Sequence, residues 1–150
     1  MKNITVLLIF SLLSAPLFSQ RTQKPVLHGK HWMAITGKSL GAQAGAMIFQ
    51  QGGNAVDAAC AMLGATCTLW DVLSWGGETQ ALIYNPHTKK VIAINALGVA
   101  PTGATAEYFK SLGFDFPPEY GPLAAVTPGT VGGLCLMLAR FGTMTLEQVL

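Results

Sequence analysis

The 150-residue sequence predicts an α/β domain. Three patterns carry that prediction. Residues 39–51 and 55–68 repeat small or apolar side chains at helical spacing on either side of a glycine pair. QALIY and VIAIN are β-type runs, and the NPHTKK between them has the proline and polar residues of a hairpin connection. Residues 106–112 and 128–141 then return to helical patterning. The order helix, helix, strand, strand, helix, helix supplies two strands, and a two-stranded sheet is marginal by itself.

Each element has local reasons. In the first helix Ala42, Gly45, Ala46 and Phe49 are three or four apart, and Ser39 is placed to be its N-cap. Gly52 and Gly53 stop it, since glycine enters the left-handed region without a Cβ penalty. Asn54 can cap the second helix, with Asp57 three residues on, a capping box with Asp in place of Glu. That helix is small on nearly every face, so it is expected to be buried on several sides. Asp57 is its one acid, and a cap contribution of about 0.5–2 kcal/mol accounts for it without catalysis. A loop with Gly76 and Gly77 leads to the strands, and Ala100–Pro101 closes the second. Thr105 caps a short helix to Leu112, and FDFPPEYGP is a loop with three prolines. Thr127–Pro128–Gly129 opens a helix to Phe141, with Pro128 near its first position, and Gly142 ends it. Thr145 and Gln148 form a T-x-x-Q capping box for a further helix. The sequence stops one turn into it, as a fragment of a longer chain would.

Composition supports a piece of a larger protein. Charged residues make up 11% and the hydrophobic set 51%, too apolar for disorder and too poor in charge for an ordinary small soluble surface. The net charge of +2 comes with no basic block, which argues against nucleic acid as a partner. The start has one Lys, an apolar core from Ile4 to Leu13, then Ser14, Ala15, Pro16 and Ser19. This is the layout of a secretory signal peptide, and the core is shorter than the about 20 apolar residues of a spanning helix. An uncleaved anchor is the alternative; Pro16 and the polar RTQK behind it speak against that. The expected organisation is a signal peptide over 1–19, a polar tail over 20–32 and a C-terminally truncated domain over 33–150. The mature protein is expected in the periplasm or outside the cell, off the membrane once the leader is cleaved.

Chemical motifs are sparse. Cys60, Cys67 and Cys135 match no zinc spacing and read as buried small hydrophobes. A Cys60–Cys67 bridge would span two helical turns, about 10 Å, beyond disulfide reach. His28 and His31 lack the further ligands of a closed metal site and read as a solvated tail. No cofactor or metal is expected. GGNAVDAA and WGGETQ have neither phosphate-loop glycine spacing, and no G-x-S-x-G elbow is present. The seven carboxylates form no close pair on a predicted face, and three histidines in tail or hairpin give no triad. A threonine nucleophile made by cutting before Thr130 would leave a tail of 21 residues, which is poor. No catalytic residue is assigned within the chain.

Four segments in order, MAITGKSLGAQAGAMIFQQGGNAVDAACA, SWGGETQALIYNPHTKKV, INALGVAP and VTPGTVGGLCLMLARFGTMTLEQVL, together resemble the N-terminal part of the gamma-glutamyltranspeptidase family. GGNAVDAA is the most specific of the strings. The resemblance covers about Met33 to Leu150. It implies the N-terminal-nucleophile hydrolase fold, an α/β/β/α sandwich of which this chain is an incomplete N-terminal portion. It also implies a precursor that cuts itself into a large and a small subunit. The freed N-terminal Thr of the small subunit would attack a gamma-glutamyl amide such as glutathione. The acyl group would pass to water, an amino acid or a peptide, with backbone N–H groups stabilising the oxyanion. The implied partners are therefore a small amide substrate, the rest of the large subunit and the small subunit, and this segment alone would be inactive.

One departure concerns substrate binding. Family members carry an Arg for the substrate's α-carboxylate in the segment matching INALGVAP, at the place of Leu97 or Val99. Neither is basic here, and WGGET stands in place of a longer glycine run. Three readings follow: a gamma-glutamyltransferase/hydrolase, a related acylase with another acyl specificity, or a non-catalytic remnant.

Overall fold

The computed structural model describes residues 26–70 and 74–150. The expected signal peptide over 1–19 and the tail up to residue 25 lie outside the described residues.

Helix α1 spans Ser39–Gln50. Its cap is Lys38 rather than the expected Ser39: the Ala42 N–H already donates to the Lys38 carbonyl (3.1 Å), so Ser39 is the first helical residue. Gly52 (φ 88°) ends it as expected, with the Gly52 and Gly53 amides donating back to the Phe49 and Ile48 carbonyls. Helix α2 spans Ala55–Leu69, and the Asn54/Asp57 capping box forms in both directions. α2 packs against α1 along its length and against a later helix on another side, in line with its small-residue faces.

Strands β1 (Thr79–Asn85) and β2 (Lys90–Ala96) form an antiparallel hairpin with Ala81 opposite Ile94 and Ile83 opposite Ile92. Strand alternation divides the side chains between two faces. Ala81, Ile83, Ile92, Ile94 and Ala96 turn inward onto a core that contains Ile48, Ala58, Cys60, Leu134, Met137 and Leu138. Leu82, Tyr84 and Val91 turn outward and are exposed.

Helix α3 (Ala106–Ser111) is capped by Thr105 as expected and ends one residue earlier than the pattern suggested. A short 3-10 turn at Pro122–Ala124 was not foreseen. Helix α4 spans Thr130–Phe141 and runs under the hairpin. Pro128 lies before its N-cap, Gly129, instead of near its first position. The Gly129 and Thr130 amides both donate to the Gly77 carbonyl (2.9 and 3.1 Å), which delays the helix start. Helix α5 (Leu146–Val149) begins at the Thr145/Gln148 capping box.

All three cysteines are free. Cys60 is buried and Cys67 half-buried, but Cys135 is exposed. Among the described residues, no helix is long and apolar enough to cross a membrane.

Candidate functional site

Three segments that are far apart in sequence meet where β2 runs out. After Ala96 the chain turns, with the Leu97 amide donating to the Asn95 side-chain oxygen (3.1 Å). The Val99 carbonyl then accepts from the Thr127 amide (3.0 Å), which lays 97–99 against 127–129. A Cβ at Gly98 would collide with the Thr127 carbonyl, and one at Gly129 with the Ala96 carbonyl. Only bare backbone fits these two crossings. The third segment enters through Gly77, whose carbonyl receives the two amides at the start of α4. Beside it the Thr79 hydroxyl donates to the hydroxyl of Thr130 (3.1 Å), a fully buried residue.

This junction positions the two candidate substrate-binding residues. Leu97 is 40% and Val99 71% exposed, flanking Gly98 on a loop held by Thr127. Both sites present accessible apolar side chains to whatever lies above the end of the sheet. A cationic side chain at either position would extend into solvent; the residues present offer only apolar surface.

The other end of α4 is built around Asp57, which is fully buried. One carboxylate oxygen accepts from the Asn54 amide (2.8 Å) and the Thr143 hydroxyl (2.7 Å). The other accepts from the amides of Thr143 (2.9 Å) and Met144 (3.2 Å). The Asn54 side-chain amide donates to the Phe141 carbonyl (2.7 Å) at the end of α4. Burial by itself would raise the Asp57 pKa. The Thr143 hydroxyl and the Asn54, Thr143 and Met144 amides outweigh it and hold the carboxyl below its ordinary value. The sequence pattern indicated the cap; the tie to Thr143 and Met144, 86 and 87 residues away, was not legible in it. GGNAVDAA and RFGTM, two strings of the family resemblance, are thus the two halves of one buried cluster. Gly142 belongs to it as well, since a Cβ there would fall 2.6 Å from a carboxylate oxygen of Asp57.

Neither region contains a nucleophile with an adjacent base. The Cys60 thiol is pushed up to about 11 by burial, with the Asp57 carboxylate and Cys135 adding to it, so it is protonated and inert at neutral pH. Burial also raises the Cys67 thiol. His28, His31 and His87 are exposed. Among the described residues, no group of three or more His, Cys, Asp or Glu could hold a metal. What the arrangement offers is a scaffold and an exposed, braced loop.

Comparison with known proteins places this scaffold. The family model for gamma-glutamyltranspeptidase matches residues 41–150, which include both junctions at the ends of α4. The chain belongs to the gamma-glutamyltranspeptidase family. Among curated relatives, the "Acylase ACY 1 proenzyme" of Pseudomonas sp. (strain SE83) is 33% identical over 141 residues, covering 85% of this chain and 25% of that protein. The "Glutathione hydrolase proenzyme" of Bacillus subtilis (strain 168) is 33% identical over 133 residues, covering 85% and 22%. The crystal structure of Helicobacter pylori gamma-glutamyltranspeptidase superposes with a TM-score of 0.74 at 32% identity, over 83% of this chain and 37% of that one. A cephalosporin acylase from Bacillus halodurans gives 0.73 at 28% identity, over 91% and 26%. This gamma-glutamyltranspeptidase-family chain thus carries an incomplete portion of the N-terminal-nucleophile hydrolase fold. It spans about a quarter of the length of the curated relatives it matches.

Proposed function

We propose that the chain is the N-terminal part of the large subunit of an exported gamma-glutamyltransferase/glutathione hydrolase-like enzyme. Such an enzyme transfers an acyl group from an amide donor to water or an amino acid through a threonine nucleophile supplied outside these 150 residues. The observation that carries this reading is the family match over 41–150, which takes in both buried junctions of α4. The relatives' designation as proenzymes favours a precursor that matures into subunits, and the Lys2, Ile4–Leu13, Ser19 leader pattern favours export. This segment contributes scaffold and one substrate-facing loop, and is inactive by itself. The full-length protein is expected to release the amine from a gamma-glutamyl anilide. If it releases none, yet cleaves other acyl anilides, the gamma-glutamyl reading falls.

The exposed Leu97 and Val99 favour a second reading, an acylase of the same fold whose donor has no carboxylate at that place. A charge-assisted contact to a carboxylate contributes about 1.5–3 kcal/mol, so its absence weakens a gamma-glutamyl donor by roughly tenfold to a hundredfold. Leu97→Arg or Val99→Arg in the full-length enzyme is expected to lower KM for a gamma-glutamyl donor by that order. If neither does, these are not the carboxylate-facing positions.

A further inference from the structure

The outward face of the hairpin changes character along its length. Toward the turn it is apolar: Leu82 stands opposite Ala93 and Tyr84 opposite Val91, all exposed. At the end that carries the braced loop it is polar. Gln80 stands opposite Asn95 there, both exposed. The last pair of the ladder is Thr79 with Ala96, and one position beyond it come Glu78 and Leu97. The Thr79 hydroxyl turns inward to Thr130 (3.1 Å), so strand alternation turns Glu78 outward, and Glu78 is exposed. The Asn95 side-chain oxygen accepts from the Leu97 amide (3.1 Å), which ties the loop to this polar end. No lysine or arginine stands on the outward face of the ladder. INALGVAP and VTPG, which meet at the loop, contain no charged residue. Among the described residues of these segments, Glu78 therefore supplies the one formal charge at this end of the sheet.

We propose that this end of the sheet selects an acyl donor that carries an ammonium group and no carboxylate, with Glu78 as the specificity-determining residue. The inference rests on the second reading above, an acylase whose donor meets the Leu97–Val99 loop. Charge complementarity selects the ligand. A carboxylate with no cation on its own face attracts an ammonium group and repels another carboxylate. Leu97 and Val99 beside it offer apolar surface to the methylene chain of the donor. A gamma-glutamyl group carries an ammonium and a carboxylate on one carbon, so it meets an attraction and a repulsion together. A gamma-aminobutyryl group is the same chain without the carboxylate and meets only the attraction.

The test compares gamma-aminobutyryl, gamma-glutamyl, butyryl and glutaryl anilides as donors for the full-length protein. The gamma-aminobutyryl donor is expected to have the highest kcat/KM, by about tenfold, with the difference in KM. That advantage should shrink as salt is raised. Glu78→Gln should abolish it, and Glu78→Lys should turn the preference toward the glutaryl donor. Equal use of the gamma-aminobutyryl and butyryl donors overturns the proposal and leaves the acylase reading standing. A glutaryl or gamma-glutamyl preference in the unmodified protein overturns both. A Glu78→Gln variant that loses activity equally on every donor also overturns the proposal, since Glu78 would then only support the loop. If no anilide is cleaved, equilibrium binding of butylammonium against butyrate decides. Tighter binding of the ammonium that is lost in Glu78→Gln upholds the site and refutes only the activity; equal binding overturns the site as well.

Discussion

The two ends of α4 solve the same problem by opposite means. Each must hold a helix terminus against a segment distant in sequence. At the N-terminal end the chain does it by leaving side chains out: Gly98 and Gly129 let three backbone strings touch, and amides bond directly to the Gly77 carbonyl. At the C-terminal end it does it with one charge, as the Asp57 carboxylate collects donors from Asn54, Thr143 and Met144. A steric solution fails by displacement, since a Cβ at Gly129 would collide with the Ala96 carbonyl and one of the strings must move aside to make room. An electrostatic one fails abruptly, because each lost acceptor leaves a buried donor without a partner.

The largest predicted effect follows. Asp57→Ala leaves three amides and a hydroxyl without their shared acceptor and opens a gap where the buried carboxylate stood, and should lower unfolding free energy by about 3–5 kcal/mol, read by urea denaturation. Asp57→Asn retains one acceptor but turns a donor toward the same amides, so it should recover only part of the loss. The charge also gives this end a pH dependence. The folded carboxyl has a lowered pKa, so the unfolded state binds its proton first on acidification. The Asp57 contribution is therefore complete above the ordinary carboxylate range and disappears as pH falls through the lowered folded value. Asp57→Asn should flatten that acid limb of the stability profile. An unchanged slope would show that other carboxylates set it.

What the sequence disclosed differs between the two ends for the same physical reason. Capping is local, so Asn54–Asp57 and Thr145–Gln148 were legible from spacing, as were the hairpin and the Thr105 cap. The Ser39 expectation missed by one residue because the local Ala42–Lys38 backbone bond already opens the helix, and the Pro128 expectation missed because tertiary bonds to Gly77 move the start of α4. Cys135 looked like a core residue because its neighbours are apolar, yet periodicity alone does not say which face of a helix meets the core when both are apolar. The convergence of Gly77, Gly98 and Gly129 was not visible from composition, since a glycine in sequence does not reveal what approaches it. Leu97 and Val99 entered through family resemblance, and the structure adds that both are accessible on a braced loop.

At the steric end the effects should be smaller. Gly129→Ala places a methyl group against the Ala96 carbonyl, and overpacking of this kind costs about 1–3 kcal/mol. Because the displaced partner is the end of β2, the variant should also loosen the 97–99 loop. Faster hydrogen exchange at the Thr127 amide, which bonds to Val99, is the measurement. A loss as large as that of Asp57→Ala would erase the distinction between the two ends.

The smallest effect tests whether side chains matter at the N-terminal end at all. Thr130 is fully buried, and its hydroxyl accepts from Thr79 across the junction (3.1 Å). A neutral hydrogen bond of this type contributes about 1 kcal/mol net, and removing one partner leaves the other unsatisfied. Thr79→Val should therefore cost about 1 kcal/mol, since it leaves the buried Thr130 hydroxyl unpaired, and Thr130→Val less, since Thr79 is only half-buried and water can reach its hydroxyl. Removing both groups should cost no more than Thr79→Val alone, because neither polar partner is then left unpaired. A double-mutant cycle by urea denaturation reads the difference. Coupling near zero would mean that backbone alone holds this end of α4; coupling of several kcal/mol would mean that it, too, depends on a buried polar pair.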